Sequence, residues 1–94
     1  MRTIEEKMVN AIRFNRSRRL GNTYVESHNG LKLVWLHDNL IYREVDDKRE
    51  INLCGWNSNT TRSRLRALGI DIRQQNYLPV LNGKIISVNG WHEA

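Results

Sequence analysis

Between Thr23 and Cys54 the chain alternates short runs of β-branched, leucine and aromatic residues with clusters of turn-forming residues. The runs are TYVES, LKLVWL, LIYREV and EINLC, separated by His28-Asn29-Gly30, His37-Asp38-Asn39 and Asp46-Asp47-Lys48. Asn, Asp and Gly tolerate the positive φ of tight hairpin turns, so residues 23–54 read as an antiparallel meander of about four strands. Successive side chains of a strand point to opposite faces, which puts Leu31, Leu33 and Trp35 on one side and Val34 and Leu36 on the other. A strand apolar on both faces belongs in the middle of the sheet, and burial is expected for Trp35. Leu40, Tyr42, Ile51 and Leu53 extend the apolar surface, while Arg43, Glu44 and Glu50 are assigned to an open face.

Helical signals flank this meander. TIEE at Thr3–Glu6 has the form of a capping box, with acids in the first turn and Arg13 and Arg16 toward the end. Ile4, Met8, Ala11 and Ile12 form a stripe at helical spacing, and Gly21 offers a stop. The intervening RFNRSRRLG is either a solvated helix end or a basic arm. A second helix is expected over residues 60–68, capped by Asn59 or Thr60 and ended by Gly69 in the left-handed conformation, with Ile70 as its apolar contact. Thr61, Leu65 and Leu68 would face the sheet, leaving Arg62, Arg64 and Arg66 spread around the exposed half. Asn82-Gly83 then turns a hairpin over residues 77–88, where Pro79 implies an edge strand or a bulge. Trp91 is expected to close over the core. The fold class is α+β: N-terminal helix and basic arm over 1–20, meander over 23–54, short basic helix packed on the sheet, and C-terminal hairpin.

Ninety-four residues suffice for one domain with one modest core. With 39% hydrophobic and 27% charged residues the chain has the composition of a folded protein. The single cysteine, Cys54, cannot form an internal disulfide, and no apolar stretch approaches a membrane span or a signal-peptide core, which implies a soluble cytoplasmic protein. Formal net charge is +5, unevenly spread: six basic against two acidic side chains over residues 1–20, four against six over 21–59, and five against two over 60–94. Positive charge thus gathers in the helical parts. Clustered arginine favours polyanions, because each neutralised phosphate releases condensed counterions.

No convergent catalytic set is visible. His28, His37 and His92 fall in turns or at the tail without other ligands at metal spacing, Cys54 reads as a small buried hydrophobe without a base, and Asp46-Asp47 reads as turn chemistry. The expectation is a binding protein rather than an enzyme, with no metal, no cofactor and no small-molecule ligand. The candidate binding residues are Arg62, Arg64 and Arg66, with Thr60 and Thr61 at the start of the same helix, extended by Arg16, Arg18 and Arg19. They would grip phosphate and base edges of nucleic acid. The same arginines could instead meet an acidic patch on a bacterial host protein, as an inhibitor or adaptor, or simply face water. Aromatic residues are few and placed for the core, so no stacking platform for single strands is expected.

GNT at Gly21–Thr23, LHDNLI at Leu36–Ile41, and Gly55-Trp56 running into TTRSRLRAL resemble a family of small bacteriophage-encoded proteins. The pattern of that family is roughly GNT, LHGN-I, then GW-T-TT-basic-SRL-AL. The resemblance spans about Gly21 to Leu68, with a weaker echo in YLPVLNGKII. Asp38 stands where the family usually has glycine, Ser58 where threonine is common and Arg66 where asparagine is common. The resemblance implies a phage protein acting in the bacterial cytoplasm and carries over no activity and no functional residue.

Overall fold

The computed structural model describes residues 3–94. Helix α1 (Thr3–Arg13) carries Glu5 and Glu6 in its first turn and Arg13 in its last, the arrangement its dipole favours. Met8 and Ala11 are buried, with Ile4 and Ile12 packed beside them, so the stripe read from spacing is the face that docks.

A six-stranded antiparallel sheet follows, in the spatial order β1 (Arg18–Leu20), β2 (Thr23–His28), β3 (Leu31–Leu36), β4 (Asn39–Val45), β5 (Lys48–Ile51) and β9 (His92–Glu93). Strand β3 is central, as its two apolar faces require. The turns after β3 and β4 place His37, Asp38, Asp46 and Asp47 at φ between 48° and 69°, the left-handed pair that matches the twist of a hairpin. Two strands of this sheet were not legible in the sequence. Half of the expected basic arm is β1, paired from Arg18↔Val25 to Leu20↔Thr23, and the tail adds β9 beside β5. Both are too short for period two to register.

One irregularity reassigns faces. Trp35 pairs with Leu40 and Val34 with Tyr42, so Ile41 is an extra residue in β4, a bulge. Both Ile41 and Tyr42 consequently enter the core, while Leu40 stays half-buried opposite Trp35. Glu44 lies on the side of Tyr42 rather than on the open face, and it accepts the Tyr42 hydroxyl at 2.6 Å.

Helix α2 (Asn59–Ala67) is capped by Ser58, one residue before the expected Asn59 or Thr60; the Ser58 side chain accepts the amide of Thr61. It ends as expected: Gly69 has φ +89°, and the Ile70 amide bonds the Leu65 carbonyl at 3.1 Å. A second, three-stranded sheet comprises β6 (Ile72–Gln75), β7 (Leu78–Leu81) and β8 (Lys84–Ile85). The hairpin at Asn82-Gly83 is present, but Pro79 lies on the middle strand, not at an edge. It is tolerated because its nitrogen faces the β8 side just past the last paired residue, where its carbonyl still accepts the Ile86 amide.

The core lies between the inner face of the large sheet, the two helices and the small sheet. Val25, Val34, Tyr42 and Ile51 form a row across four strands, meeting Met8 and Ala11 from α1, Leu65 from α2 and Ile72 and Leu81 from the small sheet. The valine, leucine, isoleucine and methionine side chains among them each contribute about 1.5 to 3 kcal/mol when fully buried. Among the described residues no helix is long and apolar enough to cross a membrane.

Candidate nucleic-acid interface

Of the three arginines expected to face outward from α2, two face inward. Arg64 is 3% exposed. Its Nη1 donates to Glu5 Oε2 at 2.7 Å and its Nε to the Thr23 hydroxyl at 3.1 Å, while Ser63 donates to the same carboxylate oxygen at 2.6 Å. Arg64 therefore bolts α2 to α1 and to the start of β2. Arg62 is 5% exposed and folds back on its own helix entry, donating to the carbonyl and side-chain oxygens of Asn57 and to the Asn59 side chain. Burial, with Arg66 beside it, lowers the pKa of Arg62, and its partners are neutral oxygens. Thr61 is buried too, and Thr60 is half-buried. Arg66 alone of the three is exposed, donating to the Ile72 carbonyl at 3.2 Å.

The expectation of an outward basic face on α2 is thus corrected. It assumed a helix lying on one layer, whereas α2 packs against α1 on one side and β6 on another. A helix so wedged has too little open surface for three solvated arginines.

The free positive charge lies elsewhere. Arg13 ends α1, Arg16 follows it, and Arg18 and Arg19 are carried on β1; all four are exposed. Among the described residues none of them lies within ion-pair distance of an acidic group, since the ion pairs there involve His28, Arg43, Arg64 and Arg73. The corner is held in shape by the chain itself. The Arg16 amide bonds the Ala11 carbonyl at 2.8 Å, the Ser17 hydroxyl accepts the Ser27 amide at 3.2 Å, and Lys32 reaches the Asn15 side chain from β3. Residues 13–20 are an ordered basic rim rather than a loose arm.

From that rim the outer face of the large sheet begins. Alternation opposite the Val25, Val34, Tyr42 and Ile51 row puts Arg19, Tyr24, Leu33, Trp35, Arg43 and Glu50 on it. The Arg19 guanidinium lies 5.3 Å over the Tyr24 ring, and Tyr24 and Trp35 stand 5.4 Å apart. Trp35 is half-buried on this face instead of in the core. At the far end Arg43 stacks 3.9 Å from the Trp91 ring and pairs with Glu50 at 3.0 Å. That hydrogen bond holds the Glu50 carboxyl below its ordinary pKa. Trp91 therefore covers Arg43 at the sheet margin rather than closing the core.

A family model matches residues 1–93, and its description reads Kyanoviridae Gp96 protein. The chain belongs to that family. It is accordingly a small phage-encoded protein, as the resemblance in the sequence implied. No curated protein and no solved structure matches it.

In this Gp96-family protein a cleft of about 410 Å³ lies at the entry to α2, lined by Leu36, Ile41, Leu53, Cys54, Trp56 and Thr61 among others. Its one thiol is poorly placed for nucleophilic work: Cys54 donates to the Leu40 carbonyl at 3.3 Å, and burial pushes its pKa up. Among the described residues no three His, Cys, Asp or Glu side chains converge as a metal site. Tyr24 and Trp35 are what sequence reasoning missed. The signal was present in β3, apolar on both faces, set against only two short helices: these cannot cover two sides of a sheet.

Proposed function

We propose that this phage protein binds nucleic acid electrostatically through the α1–β1 corner, acting in the cytoplasm of its bacterial host and without catalysis. One observation carries the reading: Arg13, Arg16, Arg18 and Arg19 are exposed within seven residues of chain and free of ion-pair partners among the described residues. Unpaired guanidinium groups on a rigid scaffold retain their full attraction for phosphate and present five donors each in a fork that fits it. Of the residues expected from sequence, Arg16, Arg18 and Arg19 are exposed at this corner, whereas Arg66 is engaged by the Ile72 carbonyl and Arg62 and Arg64 are committed to the fold. Charge on a short edge strand also serves to prevent sheet-to-sheet aggregation, so solution binding must decide.

The test is fluorescence anisotropy of a labelled oligonucleotide over a series of salt concentrations. Four phosphate contacts give a slope of log K against log salt of about −3. Alanine at Arg16, Arg18 and Arg19 together should flatten that slope to about −1. Flat salt dependence in the parent protein, with one host protein recovered stoichiometrically after nuclease treatment, would instead favour a host-directed inhibitor or adaptor.

A further inference from the structure

We infer that the nucleic acid is single-stranded and that its bases lie on the outer face of the large sheet, stacked on Tyr24 and Trp35. The inference rests on the binding proposed for the α1–β1 corner and names its substrate.

Three observations converge on it. The outer face has no covering layer: both helices pack on the inner side, α1 against β1 and β2 and α2 against α1 and β6. Its centre is largely apolar, with Leu31, Leu33, Trp35 and Leu40 all half-buried and Glu26 beside Leu33, and the apolar part is the surface an unstacked base would cover. Finally, Arg19 on β1 is an exposed arginine of this face without an acidic partner, whereas Arg18, the register partner of Val25, lies on the other side of the strand and Arg43 is paired with Glu50. Arg19 and Tyr24 are register partners on adjacent strands, so a phosphate held at β1 delivers its base over β2 and β3. The Arg19 guanidinium plane is itself a stacking surface, and an aromatic ring accepts any base because every base has a π face.

Duplex DNA does not fit this arrangement. Its bases are stacked inside, and groove reading needs a protruding helix or ribbon with free side chains. Helix α2 has spent Arg62 and Arg64 on internal contacts. Away from the rim the outer face sets Arg43 and Lys48 against Glu26 and Glu50, so a second phosphate strand would find no net positive charge there.

The experiment compares a short oligothymidylate with a duplex of equal length, at one moderate salt concentration, by anisotropy and by quenching of tryptophan fluorescence. The single strand should bind at least ten-fold more tightly and quench Trp35. Tyr24→Ala should weaken single-strand binding about ten-fold while leaving the salt slope unchanged, because stacking involves no counterion release. Tyr24→Leu keeps the apolar packing and should lose the same affinity, which separates stacking from a folding defect. Equal affinity for duplex and single strand, with both Tyr24 variants unimpaired, overturns this inference and leaves the electrostatic reading standing. Absence of salt-dependent binding to either probe overturns both.

Discussion

A buried charge is stable only while its partner remains, and the Arg64–Glu5 pair, 3% and 4% exposed at the side chains, illustrates why arginine type says little about arginine role. Removing one member breaks this ion pair within a low-dielectric interior, at a cost of about 3 to 5 kcal/mol. Arg64→Ala and Glu5→Gln should each lower the unfolding free energy measured by chemical denaturation by that much, whereas Arg18→Ala should change it by less than about 0.5 kcal/mol. Tyr42 supplies a pH-dependent counterpart. Burial, then the hydrogen bond to Glu44, raise its pKa well above the ordinary 10.0. The folded state therefore holds the phenolic proton more tightly than the unfolded state, so this contribution is complete below about pH 10 and is lost as pH climbs toward the folded pKa. Stability measured by urea unfolding should decline above about pH 10, and Tyr42→Phe should remove most of that decline.

At the scale of elements, helix α2 depends on its ends more than on its composition. It spans nine residues, shorter than an isolated helix can sustain, with β-branched and serine residues in its first half. Ser58 ties down its entry and the Gly69–Ile70 turn its exit. Ser58→Ala should cost about 1 kcal/mol in thermal or chemical unfolding, and Ser58→Asp should recover it, since an aspartate caps equally well. The contrast between the two hairpins of the small sheet shows how much a turn residue reveals. Asn82-Gly83 announces itself, being the residue pair that a two-residue turn with positive φ favours. Asn76-Tyr77 adopts the same conformation, at φ 51° and 65°, with a tyrosine that gives no such notice. Strand β6 was invisible for that reason.

Taken as a whole, the molecule keeps its net charge of +5 apart from its stability. The free arginines gather at one corner, and the structural ones are absorbed between helices. Alanine at Arg16, Arg18 and Arg19 together should leave a protein that unfolds within about 0.5 kcal/mol of the parent, so its loss of oligonucleotide affinity would report binding alone. The equivalent triple change at Arg62, Arg64 and Arg66 should fail to fold stably, because it deletes the Glu5 partner and the Asn57 and Asn59 contacts. By itself the sequence determined the two helices, the meander and the Asn82-Gly83 hairpin, because spacing of apolar residues and positive-φ turn chemistry act between near neighbours in the chain. Only the tertiary structure decided which arginines are free and which sheet face is open. Those depend on Glu5 meeting Arg64 across 59 residues and on where the helices come to rest, and no local pattern encodes such a meeting.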